Sequence, residues 1–117
     1  MTERMTWAQV PDLKAKHVPT LEKSAILPEV AARMGVRSAN SFEGLIFPYR
    51  SRDGELVNMR RPDDPGDGPK YLWPKDQPMV LSAIRDVEGD GPVILAEGTK
   101  QAQAVASWAP EEFSVYG

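Results

Sequence analysis

The chain has 117 residues, enough for one modest core but short for an enzyme that builds its own substrate cleft. Its 14 Lys and Arg against 17 Asp and Glu give a formal net charge of -3, so it is no polycation, and any contact with nucleic acid must come from a local patch. The absence of cysteine excludes disulfides and thiolate metal sites, and the single histidine, His17, cannot by itself build a zinc site.

Residues 1–20 mix charges with Trp7, Val10, Leu13 and Val18, Pro11 and Pro19 bracket a segment with room for a loose helical turn or two, and the whole is expected to be a partly ordered arm. His17 lies in a lysine-flanked polar stretch and is expected at the surface. Leu21, Ala25 and Ile26 then recur at helical spacing. Pro28 at a first helical position, Glu29 beside it and Gly35 as the closing residue predict a second short helix, with Val30, Ala31 and Met34 on its apolar side.

From Gly44 the period changes to two: Leu45, Phe47 and Tyr49 fall on one face, Ile46, Pro48 and Arg50 on the other. Asp53-Gly54 predicts a hairpin whose return strand runs from Glu55 to Arg61. Pro48 argues for an edge position or a bulge. After the loop PDDPGDG comes Pro69-Lys70-Tyr71-Leu72-Trp73. This region gathers Arg50, Arg52, Arg60, Arg61, Lys70 and Lys75 among Tyr49, Tyr71 and Trp73. Cations for phosphates and rings for stacking are what a single strand or a nucleotide needs. Arginines paired with Asp53, Asp63, Asp64 and Asp67 are the competing reading.

Residues 78–87 fit a helix slightly better than a strand, through Met79, Val80, Ala83 and Ile84. Asp86, Glu88 and Asp90 alternate but lie in a turn without an apolar scaffold, as solvated residues do. The stretch from Val93 to Ala96 reads as a strand buried on both faces, which sets Glu97 at its carboxyl end. Gly98 allows a sharp turn, Thr99 is the expected N-cap, and Lys100 to Trp108 form a helix. Gly98, Thr99 and Lys100 stand in the wrong order for a phosphate-cradling P-loop. Pro110 stops the helix, and Phe113 to Tyr116 open a second parallel strand. The fold class expected is α+β: a helical entry module over residues 1–43, a basic hairpin lobe over 44–77 and a strand-helix-strand segment over 78–117. No apolar run approaches the roughly 20 residues of a membrane span, and no signal-peptide core opens the chain, so the expected compartment is the cytoplasm.

Residues 44–74, GLIFPYRSRDGELVNMRRPDDPGDGPKYLWP, resemble the basic lobe of bacterial and phage DNA primases, with its phenylalanine-proline strand, Asp-Gly hairpin and Pro-Lys-Tyr-Leu element. VILAEGTKQAQAVASW followed by FSVYG resembles the first motif of the Toprim fold shared by primases and topoisomerases, and ILPEVAARMGVRS is similar to what precedes these elements in phage and mobile-element proteins. The resemblance covers about residues 24 to 117. It implies that Glu97 serves as a general acid or base or helps to hold Mg²⁺ during nucleotidyl transfer. It further implies that Lys70, Arg50, Arg60 and Arg61 meet template or nucleotide, and Arg52, Tyr71 and Lys100 are further candidates for binding single-stranded DNA or nucleotide. Trp73 stands where cellular primases usually carry asparagine, and the family's D-x-D motif would follow later strands than these. The expectation is therefore the N-terminal part of a primase-like Toprim protein, catalytically incomplete, with Mg²⁺ bound only if further strands are supplied. The alternative is a non-catalytic module that docks on a replication protein or self-associates through an open sheet edge. The polynucleotide reading requires Arg60 and Lys70 to face one cleft with Glu97.

Overall fold

A computed structural model describes residues 5–89 and 91–117. The chain is α+β, and its described residues form two short 3-10 turns, three α-helices and two three-stranded sheets. Helix α1 spans Val18–Lys23 and α2 spans Pro28–Met34. Strands β1 (Arg37–Ser38), β2 (Gly44–Arg50) and β3 (Leu56–Pro62) form an antiparallel sheet in that order. The second sheet has the order β4-β6-β5, from Ala83–Arg85, Ser114–Tyr116 and Val93–Leu95, with α3 (Thr99–Trp108) joining the parallel pair β5 and β6.

Local chemistry explains the elements that form as expected. Helix α2 has proline in its first turn and Glu29 beside it, and it ends on Gly35 at φ 76, the left-handed position that glycine takes without strain. In the hairpin, Ser51 and Glu55 close the loop through backbone and side-chain hydrogen bonds, and Gly54 supplies φ 91. Register then runs from Arg50↔Leu56 to Gly44↔Pro62, putting Leu45, Phe47 and Tyr49 into the core. One apolar cluster joins Leu21 and Val30 from the entry helices, Phe47 and Met59 from the hairpin, and Ile84 and Val115 from the second sheet.

Several expectations are corrected. Pro48 lies in the central strand rather than at an edge. Arg60 exchanges both backbone hydrogen bonds with Leu72, so Ile46↔Arg60 is a non-hydrogen-bonded pair, and Pro48↔Asn58 two residues on shares that phase. The Pro48 nitrogen therefore points beyond the end of the two-residue β1, where no partner strand needs a donor. Ala25 does not continue a helix but takes φ 61 just after α1. Residues 78–87 hold strand β4 instead of a helix: Ser82 pairs with Gly117 through two backbone hydrogen bonds, and Ala83 and Arg85 pair with β6 around an irregularity. Arg85 completes the arrangement by donating to the carbonyls of Phe113 at 2.8 Å and Pro110 at 2.6 Å, with longer contacts to Ala109 and Ala106. It thereby brings a cation to the carboxyl end of α3, which has no basic residue in its own last turn.

Strand β5 is not buried on both faces. It is an edge strand beside β6, and alternation leaves Val93 and Leu95 63% and 67% exposed. Gly98, not Thr99, is the N-cap of α3, while Thr99 is fully buried. In the acidic turn, Asp86 accepts from the Tyr116 hydroxyl and pairs with Arg52 at 3.3 Å, while Asp90 lies outside the described residues.

The entry segment is better tied than a loose arm. Val10 is buried, Ser38 N–H donates to the Asp12 carbonyl at 2.9 Å, and Lys14 N–H donates to Ser38 Oγ at 2.8 Å. His17 is buried rather than superficial, because its ring bridges Ser38 Oγ at 2.6 Å through Nδ1 and the Asp63 carboxylate at 3.0 Å through Nε2. Ser38 is itself buried and already accepts the Lys14 N–H, so the chain Ser38-His17-Asp63 works as a clamp between the entry segment and the end of β3. Partial burial acts to raise the Asp63 carboxyl, but the hydrogen bond and charge of His17, together with neighbouring Lys16, outweigh it and hold the pKa below the ordinary value. A lowered carboxyl contributes stability that is present above its unfolded pKa and lost as pH falls through its folded one. Asp63→Asn is thus expected to be less stable than the parent near neutrality, with the difference closing below about pH 4. Urea midpoints of both proteins across the acid range check this, and a difference independent of pH would show that the carboxylate does not work through its charge.

Candidate functional site

Glu97 occupies the turn between β5 and α3, and the fold fixes that turn from the other sheet. The first helical residue, Thr99, donates its backbone N–H to the Tyr49 hydroxyl at 3.1 Å, tying the start of α3 to the inward face of β2. Tyr49 is held in turn by Trp73, whose ring meets it edge-on at 4.9 Å and 88°. Trp73 also donates its indole N–H to the Gln77 carbonyl at 3.1 Å, so its role here is to brace Tyr49.

Around this junction opens a cleft of about 310 Å³, lined by Tyr49, Met59, Tyr71, Glu97, Lys100 and Gln101 among others. Lys100 Nζ lies 5.6 Å from the centre of the Tyr71 ring, and the Arg61 guanidinium lies 6.0 Å from it. Burial acts to raise the Tyr71 phenol, yet the cationic heads of Lys100 and Arg61 beside it prevail and hold its pKa below that of a free tyrosine. Glu97 is exposed, and among the described residues it has no cation within 4 Å. Lys100, the Tyr71 ring and an uncommitted carboxylate thus share one cleft, with Arg61 set against the same ring. Such a set can take an anion, stack a planar group and accept a hydrogen bond from a donor on the same ligand.

The expected residues divide among several surfaces. Glu97, Tyr71 and Lys100 line this cleft, and Arg61 reaches it through Tyr71. Arg60 does not: successive strand residues face opposite ways, and its guanidinium stands 5.6 Å from the Phe42 ring, in a separate cleft with Glu43, Asp63 and Asp64. Arg50 faces a third cleft, and Arg52 is paired with Asp86. Lys70 is exposed and does not line the Glu97 cleft. The requirement that Arg60 and Lys70 confront Glu97 is therefore not met, so the polynucleotide reading that rested on those two residues is dropped, and Lys100 and Tyr71, with Arg61 against the Tyr71 ring, are what stands beside Glu97.

Gln101 is an addition to the expected site, and Tyr49, expected as one ring of the aromatic patch, proves instead to anchor the start of α3 through its hydroxyl. Tyr49 shares the inward face with Leu45 and Phe47, but its position near the end of the strand is where an aromatic hydroxyl can reach the core's rim. Gln101 follows Lys100 in the first turn of α3, and its side chain folds over Gly98, where an added Cβ would lie 2.9 Å from Gln101 Oε1.

For Mg²⁺ the residues do not fit as they stand. Among the described residues Glu97 is the one carboxylate lining the cleft, and Lys100 shares that lining. Among the described residues no three His, Asp or Glu side chains gather to hold a metal ion. One carboxylate beside an ammonium group leaves an octahedral dication short of protein oxygens and repelled by its neighbour. No protein-family model, no curated protein and no solved structure matches the chain.

Proposed function

We propose that the chain is a nucleic-acid-binding module of the primase-like Toprim type that receives one nucleotide unit of a single strand, or a free nucleotide, in the Glu97 cleft. The observation that carries this reading is the convergence of Lys100 and Arg61 on Tyr71, beside a Glu97 carboxylate that no described cation neutralises. In this reading Lys100 and Arg61 meet the phosphate, Tyr71 supplies a surface for the base or sugar, and Glu97 accepts from a sugar hydroxyl or base N–H. Phosphoryl transfer is outside the reach of this lone carboxylate, and Mg²⁺ enters the proposal only if a partner or further strands add carboxylates. The compartment proposed is the cytoplasm; no described helix is long and apolar enough to cross a membrane.

Binding of a short oligothymidylate, followed by fluorescence anisotropy against salt, tests the reading. Two phosphate contacts predict that log K falls with log salt at a slope of about -1.4, at roughly 0.7 per contact on single strands. Undetectable or salt-independent binding would count against it. The second reading, an interaction module, draws on the β5 edge with exposed Val93 and Leu95. A monodisperse dimer in size-exclusion chromatography, with no affinity for the oligonucleotide, would favour that reading instead.

A further inference from the structure

The sheet of β1, β2 and β3 also bounds a cleft of about 420 Å³ that is lined by three arginines. Arg33 comes from the last turn of α2, Arg37 from β1 and Arg50 from the end of β2, with Met34, Pro48 and Leu56 among the apolar walls. Among the described residues no Asp or Glu lines the cleft. None of the three guanidiniums has a carboxylate within 4 Å among those residues, and the one hydrogen bond found for them is a long one from Arg33 to the Ile84 carbonyl at 3.5 Å.

Two other arginines are matched by oxygens, and two stand against aromatic rings, Arg60 over Phe42 and Arg61 over Tyr71. Arg52 has Asp86, Arg85 has the carbonyls at the end of α3, and Arg60 stands among Glu43, Asp63 and Asp64. What sets Arg33, Arg37 and Arg50 apart is that all three line one cleft into which, among the described residues, no carboxylate projects, in a protein of net charge -3. Alternation along β2 produces the separation: Pro48 and Arg50 face away from Phe47 and Tyr49, so this cleft and the Glu97 cleft lie on opposite faces of one strand. Like charges gathered beside apolar walls repel one another, and they gain most from an anion that several can chelate. The forked donors of arginine match phosphate oxygens in that way.

We propose that Arg33, Arg37 and Arg50 form a second anion site, independent of the Glu97 cleft, for a ligand carrying neighbouring phosphates. The ligand is a free di- or triphosphate or the successive phosphodiesters of a strand, which share the same chemistry. The test is an amide and arginine side-chain NMR titration of the whole chain at constant ionic strength, with inorganic pyrophosphate in one arm and a short oligothymidylate in the other. Saturable shifts at Arg33, Arg37 and Arg50 are expected, weakened at least about tenfold by Arg37→Gln, the loss of one charge-assisted contact. Arg50→Gln, at an exposed strand end, gives the same answer should Arg37→Gln disturb the fold. Saturation by pyrophosphate assigns the free ligand, and saturation by the oligonucleotide alone assigns the strand. Lys100→Ala leaves these shifts in place, which separates this site from failure of the first. No saturable shift in either arm, or shifts that survive both arginine substitutions, would overturn the proposal.

Discussion

Arg61→Ala combined with Lys100→Ala is expected to weaken binding of a short oligothymidylate by about 30- to 150-fold. Each substitution removes one charge-assisted contact, worth roughly 1–1.5 kcal/mol in a cleft that is half open to water, and the two together remove about 2–3 kcal/mol. Both cations approach the same ring, so their contributions are coupled, and single variants are not expected to sum cleanly. The double variant carries an internal check on position. With Lys100 and Arg61 gone, burial is left as the main influence on Tyr71, and its phenol should ionise at higher pH than in the parent. An ultraviolet titration reads that shift without any ligand. Weakened binding together with the upward shift supports the cleft as described, whereas an unmoved phenol would show that the cations do not stand on Tyr71.

Phe47→Ala is expected to lower stability by about 3–5 kcal/mol, the usual cost of emptying a large buried aromatic site. Phe47 is fully buried in the central strand, next but one to Tyr49. A domain of this size is held by roughly 5–15 kcal/mol in total, so the variant should sit near its unfolding threshold at room temperature. The effect reaches the site through β2, because the Tyr49 hydroxyl that anchors Thr99 belongs to the same strand. Urea denaturation measures the loss, and a cost below about 1 kcal/mol would mean that Phe47 is not packed as a core residue.

What can be read from the residues is mostly what local chemistry decides. Asp53-Gly54 sets the hairpin, Pro28 and Gly35 bound α2, and the apolar run before Glu97 places a strand, a turn and a helix in order. Tertiary partners decide the rest. His17 is buried because Ser38 and Asp63, 21 and 46 residues away, converge on its two ring nitrogens, and no spacing near His17 announces them. Within residues 78–87 the segment Ser82–Arg85 is extended because Gly117 and β6 pair with it and Arg85 holds the end of α3, which outweighs a weak helical periodicity.

The arginines show a different kind of miss. Arg60 and Arg61 are neighbours on one strand, and alternation alone requires them to face opposite sides. Treating the basic patch as a single surface overlooks that constraint, and it likewise joins Arg50 to a cleft that lies behind it. Arg33 and Arg37, spaced by four residues just before the hairpin, are the sequence signal for the second basic cleft.

Because Arg60 and Arg61 differ in face but not in charge, the sharpest check on the Glu97 cleft is a side-by-side measurement of oligothymidylate affinity for Arg61→Ala and Arg60→Ala. A loss of about five- to tenfold is expected for Arg61→Ala and of less than about twofold for Arg60→Ala, since Arg60 lies among carboxylates on the other face. Equal losses would mean that net charge rather than the Glu97 cleft governs binding, and the reverse order would place the ligand on the opposite face of β3.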